Sequence, residues 1–143
     1  MLPQIVVVDD DVENCSALSE LLAAEGFEAL PYVNAEIAWS ALLNEQVRPD
    51  AVVADVRMPV LDGVALLQRI KTRFPALPVV LVSAFADEAA WAEGLRAGAA
   101  DVFPKPIHGA SLVRMLREAI GGEPVQALPS GRNPDPHEEG ITS

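Results

Sequence analysis

The sequence has a single cysteine, few basic residues and no apolar run long enough to cross a membrane. One cysteine cannot form an internal disulfide, and Cys15, on the apolar face of a predicted helix, is expected to be a small buried side chain. Ten Lys and Arg residues against 21 Asp and Glu residues give a net charge of −11. A field of that sign repels phosphate backbones and anionic lipids. We therefore expect no direct contact with nucleic acid or membrane.

The sequence also lacks a secretory targeting signal and a dinucleotide-binding motif. The N-terminus lacks the positively charged region of a signal peptide, so a cytoplasmic location is expected. No G-x-G-x-x-G follows the first apolar run, which argues against dinucleotide binding. His108 and His137 lack the neighbouring acid, serine or metal ligands that catalysis would need, and His108 is best placed as a helix-start residue.

Short apolar runs alternate with amphipathic stretches along the chain. Residues 5–8, 51–54 and 79–82 are solid runs rich in β-branched side chains, typical of strands buried on both faces of a parallel sheet. Residues 28–33 and 101–103 are weaker candidates, and Pro31 places the first of these at a sheet edge.

The stretches between these runs follow a helical period. Asn34 and Asp87 are predicted to start helices, and Gly26, Gly98 and Gly121 to end them. Two of the predicted apolar helix faces consist of Val12, Cys15, Leu18 and Leu22, and of Ile37, Ala38, Ala41 and Leu42.

Five βα units predict an α/β fold with a doubly wound parallel sheet. The first, third and fourth strands are the most apolar and should be central, which favours the flavodoxin-like order 2-1-3-4-5. We expect this domain to span residues 4–120. Residues 121–143 are rich in Pro and Gly without apolar periodicity, which predicts a flexible tail. A stand-alone domain is expected, and a longer protein cut after a linker is the alternative.

Polar residues follow the predicted strands at one edge of this sheet. Asp9-Asp10-Asp11 follows the first strand, Asp55 ends the third, Ser83 ends the fourth, and Lys105 follows the fifth. Ligands of such sheets bind beyond the carboxyl ends of the strands, where the strand order reverses. Taken singly, these residues would be ordinary turn, cap or surface residues. Their joint placement predicts a functional site.

Grouped carboxylates repel one another, and a cation or protonation must relieve that repulsion. Oxygen ligands of this kind suit Mg²⁺. A cation together with a lysine would neutralise a transferring phosphoryl group, and an aspartate can act as the nucleophile. Ser83 could donate a hydrogen bond to a phosphate oxygen.

The same residues resemble the receiver domains of response regulators in two-component signalling. The resemblance is carried by residues 5–11, by Asp55-Val56-Arg57-Met58-Pro59 with Asp62-Gly63, by Ser83-Ala84 and by Lys105-Pro106, and it covers residues 4–120.

The resemblance implies that Asp55 accepts a phosphoryl group from a sensor histidine kinase or a histidine phosphotransfer protein. It implies Mg²⁺ held by Asp10 and Asp55 directly, by Asp9 through water, and by the backbone carbonyl of Arg57. Lys105 would pair with the phosphate, or with Asp55 before phosphorylation. The Lys105–Pro106 peptide is often cis in this family.

The resemblance further implies a switch that is not an enzyme in its own right. Ser83 would bias a protein-binding face made by the fourth helix, the fifth strand and the fifth helix, which would bind a downstream effector protein. The chain would be a monomer or a phosphorylation-linked dimer.

The sequence departs from the family on the fifth strand. The position three residues before the lysine, where Tyr or Phe is usual, is Val102, which puts an aromatic switch in doubt. Phe103 points to the other face and should be core, while Phe85 is a candidate gate of the pocket. Trp91 either packs on a neighbouring helix or forms an exposed anchor.

Two other functions are possible. Asp9-Asp10-Asp11 is also similar to the motif of haloacid-dehalogenase-type phosphatases, in which Asp9 would be the nucleophile and Asp11 the acid and base. Glu13 at a position expected to be Thr or Val argues against this, as does the lack of a late acidic pair. The third possibility is a receiver-like adaptor that does not use phosphate. Phosphorylation mapped to Asp9 would favour the phosphatase. Failure to bind Mg²⁺ would favour the adaptor.

Overall fold

The computed structural model describes residues 2–84 and 88–121, without the side chains of residues 88 and 90. Within these residues the strands are β1 (Gln4–Val8), β2 (Glu28–Tyr32), β3 (Ala51–Asp55), β4 (Val79–Ser83) and β5 (Asp101–Pro104). The helices that alternate with them are α1 (Val12–Ala24), α2 (Ala35–Leu43), α3 (Gly63–Arg73), α4 (Glu88–Arg96) and α5 (Gly109–Gly121).

The strands form one parallel sheet in the order β2-β1-β3-β4-β5. This confirms the predicted α/β fold and the flavodoxin-like order. The strand that contains Pro31 lies at one edge, as the missing N–H of proline predicts. The order reverses between β1 and β3, where Val8 pairs with Ala54.

Two hydrophobic clusters cover the two faces of the sheet. One joins α2 and α3 to side chains that include Val52 and Val102. The other joins α1 and α5 to side chains that include Val53 and Phe103. Consecutive residues of a strand thus face opposite clusters, as the pleat requires. The predicted core position of Phe103 is confirmed, and burial on both faces explains the solid apolar runs.

Polar side chains start three of the helices. Asp11, Asn34 and Asp62 each accept hydrogen bonds from backbone N–H groups in the first turns of α1, α2 and α3. These bonds satisfy amides that have no partner within the helix. His108 precedes α5, and its carbonyl accepts from the amides of residues 111 and 112, so its predicted place at a helix start is also confirmed. Asp87 lies outside the described residues.

Glycines follow the helices α1 and α4. Gly26 and Gly98 have φ values of 95° and 106°, a backbone region that favours glycine. Both predicted helix stops are therefore confirmed. Gly121 is itself the last residue of α5.

Two of the predicted apolar helix positions are wrong. Val12 is 65% exposed and Ile37 is 59% exposed. Val12 is the first residue of α1, at the end of the helix, where neighbouring elements cover it incompletely. Ile37 is one residue, or about 100° of helix rotation, from Ala38, and α2 buries Ala38 together with Ala35 instead.

None of the helices in residues 2–84 and 88–121 is both long and apolar enough to cross a membrane. The predicted tail falls almost wholly outside these residues, since residues 122–143 are not among them.

Candidate functional site

The predicted site residues lie at the carboxyl edge of the sheet. Asp9 directly follows β1, Asp55 ends β3, Ser83 ends β4, and Lys105 directly follows β5. Asp9 and Asp55 are buried at 5% and 8% exposure, and Ser83 is buried as well. The parallel sheet thus brings residues that are up to 96 positions apart in sequence to the same place.

Lys105 links two of the aspartates. Its Nζ donates to Asp9 Oδ2 at 3.1 Å and to Asp55 Oδ2 at 3.3 Å. The sequence predicts the pairing with Asp55 but not the pairing with Asp9. The second oxygen of each aspartate accepts a backbone N–H two residues later, from Asp11 at 2.9 Å and from Arg57 at 3.3 Å.

Asp10 completes a cluster of three carboxylates. One oxygen from each of Asp9, Asp10 and Asp55 lies within 4.8 Å of the others. Asp10 is exposed while the other two are buried, so the cluster opens to solvent on one side. Three carboxylates and one ammonium leave the site with a net negative charge. Hard oxygen donors at an open acidic site fit Mg²⁺, which keeps several of its waters.

Burial and charge shift the pKa values of two site residues. Burial raises the pKa of the Asp55 carboxyl, and repulsion from Asp9 adds to this, although attraction to Lys105 opposes it. Burial alone would lower the pKa of Lys105, but its hydrogen bonds and charge interactions with Asp9 and Asp55 outweigh burial and raise it. The ammonium form of Lys105 is therefore held in place by the two carboxylates.

The backbone ties Lys105 to the end of β4. The Lys105 N–H donates to the carbonyl of Ser83 at 2.7 Å. The Lys105–Pro106 peptide is cis, in line with the family resemblance. Ser83 and Lys105 are thereby neighbours at the carboxyl edge of the sheet, and the exposed Ala84 lines the same cleft as Lys105.

A cleft of about 550 Å³ leads from the pocket between α1 and the segment after β5. Its polar end contains Asp9, Asp55 and Lys105. Its walls are largely apolar and include Leu18, Leu21, Val53, Val82 and Ile107. The carboxylates of Asp9 and Asp55 and the ammonium of Lys105 therefore share a cleft whose other lining residues are largely apolar.

The loop after β3 makes close backbone contacts that the sequence does not predict. The Gly63 N–H donates to the carbonyl of Val56 at 2.9 Å, which closes the loop onto the end of β3. A Cβ atom at Gly63 would lie 2.3 Å from the carbonyl oxygen of Asp55. The Asp62-Gly63 pair belongs to the motif that carries the family resemblance, but a sequence pattern alone does not reveal this contact.

Val102 is buried and packs in the cluster that covers the α2 and α3 face of the sheet. A Cβ atom at Gly94 of α4 would lie 3.1 Å from Val102 Cγ2. Helix α4 thus packs closely over the position where the family usually has an aromatic ring. Phe85, the predicted gate, lies outside the described residues.

The fold and the pocket together define a doubly wound α/β domain with three aspartates and one lysine at its switch point. The sequence profile described as response regulator receiver domain matches residues 5–117. The chain belongs to this family of receiver domains.

Curated relatives agree with the family match. The chain is 39% identical over 117 residues to the transcriptional regulatory protein ZraR of Salmonella typhimurium strain LT2, with 81% of this chain and 26% of ZraR covered. It is 36% identical over 123 residues to the DNA-binding transcriptional regulator NtrC of Escherichia coli strain K12, with 86% of this chain and 26% of NtrC covered. The chain therefore spans about a quarter of the length of these relatives.

Solved structures agree with the fold. A response regulator receiver domain protein from Clostridium thermocellum has a TM-score of 0.80 at 25% identity, with 85% of this chain and 96% of that chain covered.

Proposed function

We propose that Asp55 accepts a phosphoryl group from a phosphohistidine of a partner protein and that this event switches a protein-binding face. The observation that carries the proposal is the meeting of Asp9, Asp10 and Asp55 within 4.8 Å of one another, with Lys105 bonded to two of them. The partner would be a sensor histidine kinase or a histidine phosphotransfer protein.

In this proposal the pocket holds Mg²⁺. Asp10 and Asp55 would bind it directly, Asp9 through water, and the backbone carbonyl of Arg57 would complete the protein ligands. Bound Mg²⁺ would supply positive charge that offsets the negative charge on the oxygens of the transferring phosphoryl group. The donor set supports this ion, because it consists of hard oxygens in an open acidic pocket.

The chain's own residues would carry the transfer. A carboxylate oxygen of Asp55 forms the new O–P bond as the N–P bond to the partner's imidazole breaks, and the imidazole keeps the electron pair of that bond. Lys105 Nζ, 3.3 Å from Asp55 Oδ2, is placed to pair with the added phosphoryl oxygens. Ser83, at the end of β4, would donate to another of these oxygens. The chain would promote only its own phosphorylation and dephosphorylation.

The face switched by this event would be made by α4, β5 and α5. Trp91 of α4 is 44% exposed, and Leu95 one turn later is also exposed. Such side chains can anchor an effector protein or a second copy of the chain. NtrC is named as a DNA-binding regulator, but the net charge of −11 supports a protein partner for this chain. The cytoplasmic location stays a prediction.

One observation bears on the phosphatase alternative. Asp11, which would be the acid and base in that reaction, uses its Oδ1 to accept the N–H groups of Glu13 and Asn14 at 2.9 and 3.1 Å. A carboxylate engaged as a helix cap is poorly placed to exchange protons with a substrate. This supports Asp55 rather than Asp9 as the nucleophile.

The test is intact-mass analysis after incubation with acetyl phosphate, with and without Mg²⁺. Wild type should gain one phosphoryl group only with Mg²⁺, and Asp55→Asn should gain none. Asp62→Asn is the matched control, because it removes an aspartate of the same loop while asparagine still caps α3. It should be phosphorylated like wild type.

Two outcomes would contradict the proposal in different ways. A gain that persists in Asp55→Asn would place the nucleophile elsewhere, and Asp9→Asn would be the next variant. No gain by wild type under any condition would favour the adaptor that does not use phosphate.

A further inference from the structure

Helix α3 begins in direct contact with the backbone of the phosphoacceptor strand. A Cβ atom built on Gly63 would lie 2.3 Å from the carbonyl oxygen of Asp55, 2.9 Å from its carbonyl carbon and 2.8 Å from the Cα of Val56. Backbone atoms cannot rotate out of the way as a flexible side chain can. Any residue other than glycine at position 63 would therefore displace the end of β3, the start of α3, or both.

A hydrogen bond holds this contact in place. The Gly63 N–H donates to the carbonyl of Val56 at 2.9 Å, while the Val56 N–H donates to the carbonyl of Val82 at 2.8 Å. Val56 is thus fixed on one side to β4 and on the other to α3. The position of the residue that follows Asp55 depends on where α3 begins.

Arg57 links the position of Val56 to the pocket. Arg57 follows Val56 directly, and its N–H donates to Asp55 Oδ1 at 3.3 Å. The Arg57 carbonyl is the proposed backbone ligand of the metal. A shift of Val56 would therefore move the Arg57 carbonyl relative to the Asp55 carboxylate.

The start of α3 is itself well fixed. Asp62 Oδ1 accepts the N–H of Ala65 at 2.8 Å, and the fully buried side chains of Leu66 and Leu67 pack in the core. The helix cannot easily retreat to make room for a side chain at position 63. The displacement would fall on the loop and the strand end.

We infer that Gly63 is a positioning residue for phosphoryl transfer. Its bare Cα lets α3 begin against the Asp55 carbonyl, and this contact holds Asp55 and the Arg57 carbonyl in the relative positions that metal and phosphoryl binding require. The inference rests on the proposed function, since it concerns the same pocket.

The experiment compares Gly63→Ala with Gly94→Ala. A Cβ atom at Gly94 would lie 2.9 Å from Leu81 Cδ1 and 3.1 Å from Val102 Cγ2, so both glycines are close-packed against the sheet. At Gly94, however, the neighbours are side chains outside the pocket. Binding of MgCl₂ is measured by titration calorimetry at a temperature where thermal unfolding shows each variant to be folded.

Gly63→Ala should weaken Mg²⁺ binding by about tenfold or more, the size of effect typical of residues that orient metal ligands. It should also slow the gain of mass from acetyl phosphate at saturating Mg²⁺. Gly94→Ala should lower the unfolding temperature but keep the dissociation constant of wild type. An unchanged dissociation constant in folded Gly63→Ala would overturn the inference.

A second pair of variants keeps the inference testable if Gly63→Ala does not fold. Asp62→Asn and Asp62→Ala remove the same charge, but only alanine removes the cap of α3. Weaker Mg²⁺ binding by Asp62→Ala than by Asp62→Asn would support positioning by the start of α3, and equal binding would contradict it. If wild type binds no Mg²⁺, the proposed function and this inference both fail. If wild type binds it and the variants bind it equally well, only this inference fails.

Discussion

Helices α3 and α4 lie on the same face of the sheet but meet it through different atoms. At Gly63, α3 contacts the backbone of Asp55 and Val56, beside the pocket. At Gly94, α4 contacts the side chains of Leu81 and Val102. Side chains can change rotamer or be exchanged in evolution, whereas a backbone contact leaves no such freedom. We therefore expect α3 to be tied to the sheet more rigidly than α4.

This difference matches the roles proposed for the two regions. The pocket needs its carboxylates and the Arg57 carbonyl in fixed positions, because metal binding and phosphoryl transfer require defined geometry. A switched surface needs a helix that can shift. Helix α4 presents Trp91 and Leu95 to solvent and meets side chains of the sheet at Gly94, which suits such a surface.

The largest expected effect is on stability, at the α4 contact. Leu81→Ala removes a fully buried side chain and should lower the free energy of unfolding by about 2–5 kcal/mol. It also removes the atom closest to a Cβ at Gly94. Gly94→Ala should therefore cost less in the Leu81→Ala background than in wild type, by about 0.5–3 kcal/mol in a double-mutant cycle. Urea unfolding of the four proteins gives the cycle.

Additive costs in that cycle would mean that Leu81 is not what limits space at Gly94. The same cycle with Gly63→Ala serves as the contrast, since no Leu81 atom is among the nearest atoms to a Cβ there. In that cycle the costs should add.

A smaller effect is expected from Lys105→Met, at the pocket. The substitution leaves Asp9 and Asp55 without their ammonium partner, which should lower the free energy of unfolding by about 1–2 kcal/mol without Mg²⁺. This is less than for a fully buried pair, because the lysine side chain is partly exposed. Added Mg²⁺ should stabilise Lys105→Met more than wild type, because a cation then faces carboxylates that have lost their partner.

Lys71→Met is the matched control for this prediction. Lys71 Nζ donates to the carbonyl of Leu77 at 2.9 Å, and burial lowers its pKa. This lysine also makes a partly buried polar contact, but with a carbonyl after α3 instead of with the carboxylates. Mg²⁺ should stabilise Lys71→Met and wild type equally, as followed by thermal unfolding. Equal Mg²⁺ effects on both lysine variants would mean that Lys105 does not compete with the cation for the carboxylates.

Much of the fold follows from the sequence. The apolar runs of β1, β3 and β4 are removed from water only when both faces of each strand are covered. Pro31 then assigns an edge, and the strand order brings Asp9, Asp55 and Lys105 to one side. The topology rule predicts that these residues meet. It does not predict that Lys105 bonds to Asp9 as well as to Asp55, because that depends on the path of the chain after β5.

Other features depend on local geometry that periodicity does not encode. The contact of Gly63 with Asp55 arises from the way the loop of residues 56–62 turns back on the strand. The exposure of Val12 depends on which elements cover the first turn of α1, and that of Ile37 depends on the rotation of α2, which buries Ala35 and Ala38 instead. Apolar periodicity indicates which face of a helix is buried, but it does not show how far neighbouring elements cover that face.

The smallest effect on stability is expected for substitution of Trp91, and tryptophan fluorescence then allows α3 and α4 to be compared directly. The two tryptophans lie in different surroundings. Trp39 of α2 packs edge-on against Phe74, with ring centroids 6.2 Å apart, and Phe74 directly follows α3. Trp91 of α4 is 44% exposed. Trp91→Phe should change the free energy of unfolding by no more than about 0.5 kcal/mol, as is usual at such surface positions.

Each single-tryptophan protein then reports on one region. With Trp39→Phe, the remaining Trp91 should change its emission when acetyl phosphate and Mg²⁺ are added, because a shift of α4 alters its exposure. With Trp91→Phe, the remaining Trp39 should change little, because its ring is packed near the more rigidly held α3. Any response that persists with Asp55→Asn in either background does not depend on phosphorylation of Asp55. A response from Trp39 alone would place the moving region on the α2 and α3 side and contradict the assignment of α4 as the adjustable helix.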